Sequence, residues 1–273
     1  MHGVNIPDTE RDSGGSTAVL SCEEVTFGYE PDRPVITGLS VQIQPGRLCA
    51  MIGPNAAGKS TLLKLMLGQL RPWSGRVRLD GTDVGAMDAR KRAALLSYVP
   101  QHGSVAFAFT TRQVVDMGRY TLRRDRGAID QAISGCDLTD LEDRPFTELS
   151  AGQQQRVLLA RALGQSSGEG RVMLLDEPAS AMDLWHVHRI MRLLAEHARH
   201  GLAVLVVLHD VNLAARYADD VWLIDNGALV EAGTWQQVLQ PRVLEPIYRV
   251  GLRVAEQQCD DRPLFIVEPD NTL

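Results

Sequence analysis

Gly53-Pro54-Asn55-Ala56-Ala57-Gly58-Lys59-Ser60-Thr61 follows the apolar run Leu48-Cys49-Ala50-Met51-Ile52 and precedes Leu62-Leu63-Lys64-Leu65-Met66-Leu67. A short apolar run, a glycine-bearing turn and a longer run of helix formers predict strand, loop and helix. The stretch completes the pattern G-x-x-x-x-G-K-[ST]. In that setting the backbone N–H groups of the loop converge on phosphates and the helix start adds partial positive charge. Lys59 reaches the β and γ phosphates, and Ser60 offers its hydroxyl to Mg²⁺. The alternative is an ordinary glycine-containing loop with a solvated lysine, against which the strand-loop-helix setting weighs. The sequence therefore predicts binding of a nucleoside triphosphate.

Outward from this loop, 273 residues suffice to bury the core of one large α/β domain. A hydrophobic share of 44% beside 23% charged residues fits an ordinary globular protein. Apolar stretches such as Leu202 to Leu208 fall far short of the ~20 residues of a membrane helix, so no span is predicted. Met1 to Thr17 is polar, carries Asp8, Glu10 and Asp12, and lacks the apolar centre of a secretory signal; it reads as a disordered tail. The net charge of −6 argues against a broad footprint for nucleic acid. Cys22, Cys49, Cys136 and Cys259 are scattered without a C-x-x-C pair, which fits a reducing compartment rather than zinc or disulfide chemistry. His197 and His200 share a helix face but have no acidic or thiol partner, and are read as solvated.

Ahead of the loop, Val19-Leu20 to Phe27 and Val35-Ile36 to Ile43, punctuated by Pro31, Pro34 and Pro45-Gly46, predict a small antiparallel sheet. Tyr29, at the end of the first strand, either stacks on a base or is a core-edge aromatic with its hydroxyl in water. Beyond the loop, Arg76 to Gly81 alternates as a half-exposed strand, Ala89 to Leu96 reads as helical, and Ser97-Tyr98-Val99 as a buried strand with Gln101 at its outlet. From about His102 to Gly164 the patterns are helical, and this segment is read as an insertion. Within it Arg119, Arg123, Arg124 and Arg126 form a basic cluster, either a solvated helix face or a contact with a partner or lipid headgroups.

Val172-Met173-Leu174-Leu175 and Ala203 to Leu208 are uninterrupted apolar runs of the kind found in parallel sheets buried on both faces. The first ends in Asp176-Glu177, the second in His209-Asp210. Ligands of open α/β sheets gather at the carboxyl ends of strands, so the phosphate loop, Gln101, Asp176, Glu177 and His209 are expected to meet. Asp176 suits Mg²⁺ held through its water shell, and Glu177 suits a base that orients the attacking water.

Leu149-Ser150-Ala151-Gly152-Gln153-Gln154-Gln155-Arg156 resembles the signature sequence of ABC ATPases. That resemblance, from about residue 18 to the C-terminus, implies a P-loop core with a mainly parallel sheet, an N-terminal antiparallel β subdomain and a helical insertion. It makes Tyr29 the adenine-stacking aromatic, Gln101 the Q-loop and a metal contact, Ser180-Ala181-Met182-Asp183 the D-loop and His209 the switch histidine. It further implies a head-to-tail dimer in which ATP lies between the phosphate loop of one copy and Ser150, Ala151, Gly152 and Gln153 of the other. Two positions depart from the family pattern, Ala56 and Ala151, where glycine is common. Each would cost roughly 1–2 kcal/mol if its backbone were left-handed.

Pro100-Gln101-His102, Val114 to Arg119, Ser180 to His186, Val207 to Ala214 and Arg262-Pro263-Leu264 resemble the ATP-binding subunits of bacterial importers for haem, ferric siderophores and cobalamin, with the nearest likeness to haem importers. The resemblance implies a peripheral subunit on the cytoplasmic face of the inner membrane. Its partners would be a separate permease and, indirectly, an extracytoplasmic substrate-binding protein. A soluble ABC ATPase acting on nucleic acid or ribosomes is the rival of another class. Such proteins usually carry two cassettes or a long coiled coil, and this sequence shows neither.

Overall fold

The computed structural model describes residues 18–103, 105, 107–255 and 262–268. The N-terminal tail of the sequence reading lies outside the described residues. The chain opens with β1 (Leu20–Phe27) and β2 (Ile36–Ile43), then β3 (Leu48–Ile52), the phosphate loop and α1 (Lys59–Met66). There follow β4 (Ser74–Leu79), β5 (Thr82–Asp83), α2 (Ala89–Leu95) and β6 (Leu96–Val99). Among the described residues the next stretch is helical: α3 (Thr111–Asp116), α4 (Arg126–Gly135) and α5 (Ala151–Ser166), with short 3₁₀ turns between. Strands then return with β7 (Val172–Asp176), α6 (Leu184–Arg199), β8 (Ala203–Val207), α7 (Val211–Tyr217), β9 (Asp220–Asp225) and β10 (Ala228–Thr234). The chain closes with α8 (Trp235–Val238), α9 (Pro241–Tyr248), β11 (Leu252–Ala255) and β12 (Leu264–Val267). Leu96 belongs to a strand rather than to the preceding helix. The helix α7 and the strand β11, too short to carry a periodic signal, emerge only in the structure.

Six strands form the central sheet in the order β10-β9-β3-β8-β7-β6, parallel except for the β9-β10 hairpin. A second sheet, β2-β1-β4-β5, is antiparallel as the alternating sequence predicts. Every residue of β3, β7 and β8 is buried. Because side chains alternate across a strand, these runs feed two separate cores. Leu48, Ala50, Ile52, Met173, Leu175, Val204 and Val206 pack on the helical layer. Cys49, Met51, Val172, Leu174, Leu205 and Val207 pack on α1 and the antiparallel sheet. Apolar surface on both faces is what a polar-alternating strand could not supply, and it sets the layered architecture.

Strand register delivers the functional residues. Met51 and Asp176 both pair with Val207, and Val99 pairs with Leu175. The ends of β3, β6, β7 and β8 therefore lie along one edge. No helix among the described residues is long and apolar enough to cross a membrane.

Leu174 is wholly buried at the centre of the sheet. Leu174→Ala should lower the unfolding free energy by about 2–5 kcal/mol in a denaturant titration; a loss much below that would show that the two layers collapse around the void.

Candidate active site

Helix α1 differs from its neighbours at its start. Helices α2, α3, α4, α5, α6 and α7 are capped by the side chains of Asp88, Thr110, Asp125, Ser150, Asp183 and Asp210. Helix α1 begins after Gly58, left-handed at φ 98°, with no side-chain cap. The first amides of a helix have no partner within it, so those of α1 face the loop with no side chain competing for them. The loop is tied down from outside by the β9-β10 turn, where the Gly227 amide donates to the Ala57 carbonyl at 3.0 Å.

Lys59 folds back along the loop and donates to the carbonyls of Gly53 (2.8 Å) and Pro54 (2.7 Å). Burial lowers its pKa, opposed by the negative charge of Glu177 and Asp176. Val35, Asn55, Ala56, Ala57, Gly58, Lys59, Ser60, Thr61, Glu177 and His209 line an open cleft of about 300 Å³. Tyr29 stands beside it, 58% exposed, with its hydroxyl 3.3 Å from Thr61 Oγ1 and its ring edge-to-face with Phe27. Its outward surface is open to a planar ligand.

Glu177 is clamped from two sides. Gln101 Nε2 donates to Oε2 at 2.6 Å, and His209 Nε2 lies 2.5 Å from Oε1. Its backbone is left-handed at φ 47°, a conformation costing roughly 1–2 kcal/mol for a residue with a Cβ, which aims the side chain at the cleft. Asp176 lies deeper. Burial raises its pKa, opposed by a hydrogen bond from Ser60, and its Oδ1 has no hydrogen-bond partner. A buried, unpartnered carboxylate oxygen beside a serine hydroxyl fits a hard divalent cation such as Mg²⁺. Gly53 to Thr61, Gln101, Asp176, Glu177, His209 and Tyr29 thus gather at one edge.

Ser150, Ala151, Gly152 and Gln153 do not line this cleft. They form the start of α5, where Ser150 and Gln153 make a reciprocal capping box. A Cβ added at Gly152 would lie 2.6 Å from the Ala181 carbonyl oxygen, so glycine is required there by the close approach of the backbone. The two departures from the glycine pattern separate. Ala56 is left-handed at φ 61°, whereas Ala151 is the first residue of α5 and has no positive φ.

The basic cluster divides as well. Arg119 is half-buried and donates to the carbonyls of Gly164 (2.7 Å) and Ser167 (3.0 Å), fastening the end of α5, and it also lines a groove with Tyr120, Arg124 and Arg126. Arg123, Arg124 and Arg126 are exposed. His197 is half-buried, its pKa lowered by burial and by His200. No metal-binding cluster of His, Cys, Asp or Glu occurs among the described residues. Sequence reasoning passed over Asp137 and gave His186 no role, because their partners come from distant segments.

An uncapped helix behind a glycine-bearing loop, a buried lysine and a doubly held carboxylate define a P-loop ATPase. The chain belongs to the ABC transporter family, whose model matches residues 36–180, and is an ATP-using hydrolase of that family. It is 40% identical over 238 residues to the hemin import ATP-binding protein HmuV of Pseudomonas entomophila, covering 85% of this chain and 93% of the relative. It is 39% identical over 266 residues to the HmuV of Rhodococcus jostii, covering 95% and 89%. Among solved structures, a metal-chelate type ABC transporter in an inward-facing conformation matches with a TM-score of 0.77 at 27% identity, over 94% of this chain and 99% of that one.

Two outcomes follow from the loop and the buried carboxylate. Ala56→Gly should stabilise the protein by about 0.5–1 kcal/mol, the relief of the left-handed Cβ less the added chain entropy, and raise Tm by about 2 °C. A folded-state pKa above the ordinary value means that the folded protein binds the Asp176 proton more tightly than the unfolded chain. This contribution favours folding in acid and is lost as pH rises through the folded pKa. Asp176→Asn should therefore raise Tm at neutral pH and flatten the fall in Tm as pH rises from acid towards neutrality. Calorimetry of the nucleotide-free protein checks both.

Proposed function

We propose that this chain is the ATP-hydrolysing subunit of a haem importer, working as a two-fold pair on the cytoplasmic face of the membrane beneath a separate permease. The observation that carries the reading is the division of the site. The phosphate loop, Gln101, Glu177 and His209 share one cleft, while Ser150 to Gln153 start a helix that does not line it. A second copy, turned head to tail, supplies the missing part, and two-fold symmetry then yields two equivalent sites.

In this reading the loop amides and Lys59 hold the β and γ phosphates, and Tyr29 stacks on the adenine. Ser150 and the Gly152 amide of the opposite copy meet the γ-phosphate. Ser60, Gln101 and Asp176 would hold Mg²⁺, which supplies charge neutralisation at the phosphates when bound. Glu177 takes a proton from the attacking water as it approaches the γ-phosphorus, and its clamp by Gln101 and His209 fixes the carboxylate in place. His209 contacts the same phosphate. Positioning and charge stabilisation do the chemistry, with no covalent intermediate.

Haem as cargo is supported by the names of relatives about 40% identical over most of their length. A ferric siderophore or cobalamin is the second reading, favoured by the metal-chelate transporter among the structural relatives. The permease meets the helical insertion, where Phe109, Met117, Tyr120, Arg124 and Arg126 line a groove of about 550 Å³ and Tyr120 is 91% exposed. Selectivity for cargo resides in that permease and in an extracytoplasmic binding protein.

Glu177→Gln should cut phosphate release by ~10²–10⁴-fold while keeping ATP binding and trapping a closed dimer visible by size-exclusion chromatography. Lys59→Ala should instead weaken ATP binding itself. Wild-type turnover in the first variant, or unchanged affinity in the second, contradicts these roles. With the permease reconstituted, haem-loaded binding protein should stimulate hydrolysis where siderophore- and cobalamin-loaded proteins do not.

A further inference from the structure

The turn Ser180 to Asp183, between Glu177 and α6, touches the helical layer at two points. Its backbone abuts the start of α5, where the Ala181 carbonyl leaves no room for a Cβ at Gly152. Its last residue, Asp183, caps α6 by accepting from the His186 amide at 2.9 Å through Oδ1, and its Oδ2 lies 2.8 Å from His186 Nδ1. The second ring nitrogen, Nε2, is buried without a hydrogen-bond partner and lies 3.6 Å from Asp137 Oδ2.

Asp137 stands just past the end of α4 in a left-handed conformation, φ 57°. Glycine is the usual occupant of that position because it avoids the penalty on a Cβ. What the aspartate adds is a junction. Arg156 of α5 donates to the Cys136 and Asp137 carbonyls, and Arg189 Nη1 of α6 lies 3.5 Å from Asp137 Oδ1. Arg189 in turn lies over the Trp185 ring, 5.1 Å from its centroid. The contacts close a ring running from Gly152 through Ala181, Asp183, His186, Asp137 and Arg156, and back along α5. One arc lies in the helical insertion and the other in the strand-bearing core.

We propose that His186 is a positioning residue that couples the orientation of the helical insertion to the Ser180–Asp183 turn, and through it to Glu177 and to the signature at Gly152. The inference rests on the sandwich-dimer reading. The imidazole ring spans the gap between the two arcs, with Nδ1 2.8 Å from Asp183 Oδ2 and Nε2 facing Asp137 Oδ2 at 3.6 Å. Arg189 of α6 and Arg156 of α5 pack around the same Asp137. A rotation that carries Asp137 away from the core parts it from Nε2 and opens the ring of contacts, while His186 stays on Asp183 at the cap of α6. The helical insertion and the turn then move independently.

The test is steady-state phosphate release by the full chain against ATP concentration, with equilibrium ATP binding and Tm, for His186→Asn, Asp137→Asn and the double variant. Asparagine can still bond Asp183 but cannot bridge. Each single variant should lower kcat by about tenfold and leave ATP affinity within about twofold, and the double should fall no further than either single. The proposal is overturned by a wild-type kcat in His186→Asn, or by losses that add in the double variant and track a fall in Tm. A His186→Gln variant repeats the series should His186→Asn misfold. Glu177→Gln in the same series separates the two readings. If it turns over like the wild type, the functional reading fails and this one falls with it; if it is inactive while His186→Asn is normal, only the coupling fails.

Discussion

Everything in this site depends on one helix whose first amides are left without a side-chain cap. A helix start normally satisfies its orphan N–H groups with a Ser, Thr, Asp or Asn side chain, worth about 1 kcal/mol, and six other helices of this chain do so. At α1 that stabilisation is absent, which leaves its first amides open to an anionic ligand. The loop compensates through the buried Lys59, whose ammonium lies on the Gly53 and Pro54 carbonyls, and through the hydrogen bond from Gly227 to Ala57. The unpartnered Asp176 oxygen and the left-handed Glu177 follow the same logic, with local stability given up for groups held ready.

Much of this was legible in the sequence for a physical reason. Strands buried on both faces must be apolar throughout, so β3, β7 and β8 announced themselves. Parallel strands in one sheet end on one edge, which is why sequence order alone places Gln101, Asp176, Glu177 and His209 with the loop. The register confirms that shared edge, with Asp176 and Met51 paired to the same Val207. Ala56 and Ala151 show where the reading stops. Backbone conformation at an alanine leaves no mark in the sequence, and only the structure separates the left-handed residue from the ordinary first residue of a helix.

Asp137, His186 and Arg119 were illegible for a different reason. Each acts through partners from other segments, so no local spacing betrays it. Arg119 looked like part of a charge run until its guanidinium was found on the carbonyls closing α5. A periodic pattern reports which face of an element is buried; it does not report which distant carbonyl a long side chain reaches.

The alternation of side chains along β3, β7 and β8 makes the central sheet a partition. Odd and even positions of one strand answer to different neighbours, one set to α1 and the nucleotide edge, the other to the helices that would meet a membrane partner. Repacking on the helical side can be absorbed there while the backbone of the strand, fixed by its hydrogen-bonded neighbours, holds still. The packing under the phosphate loop and the packing of the helical layer are therefore two separate jigsaws that share the strand backbones between them.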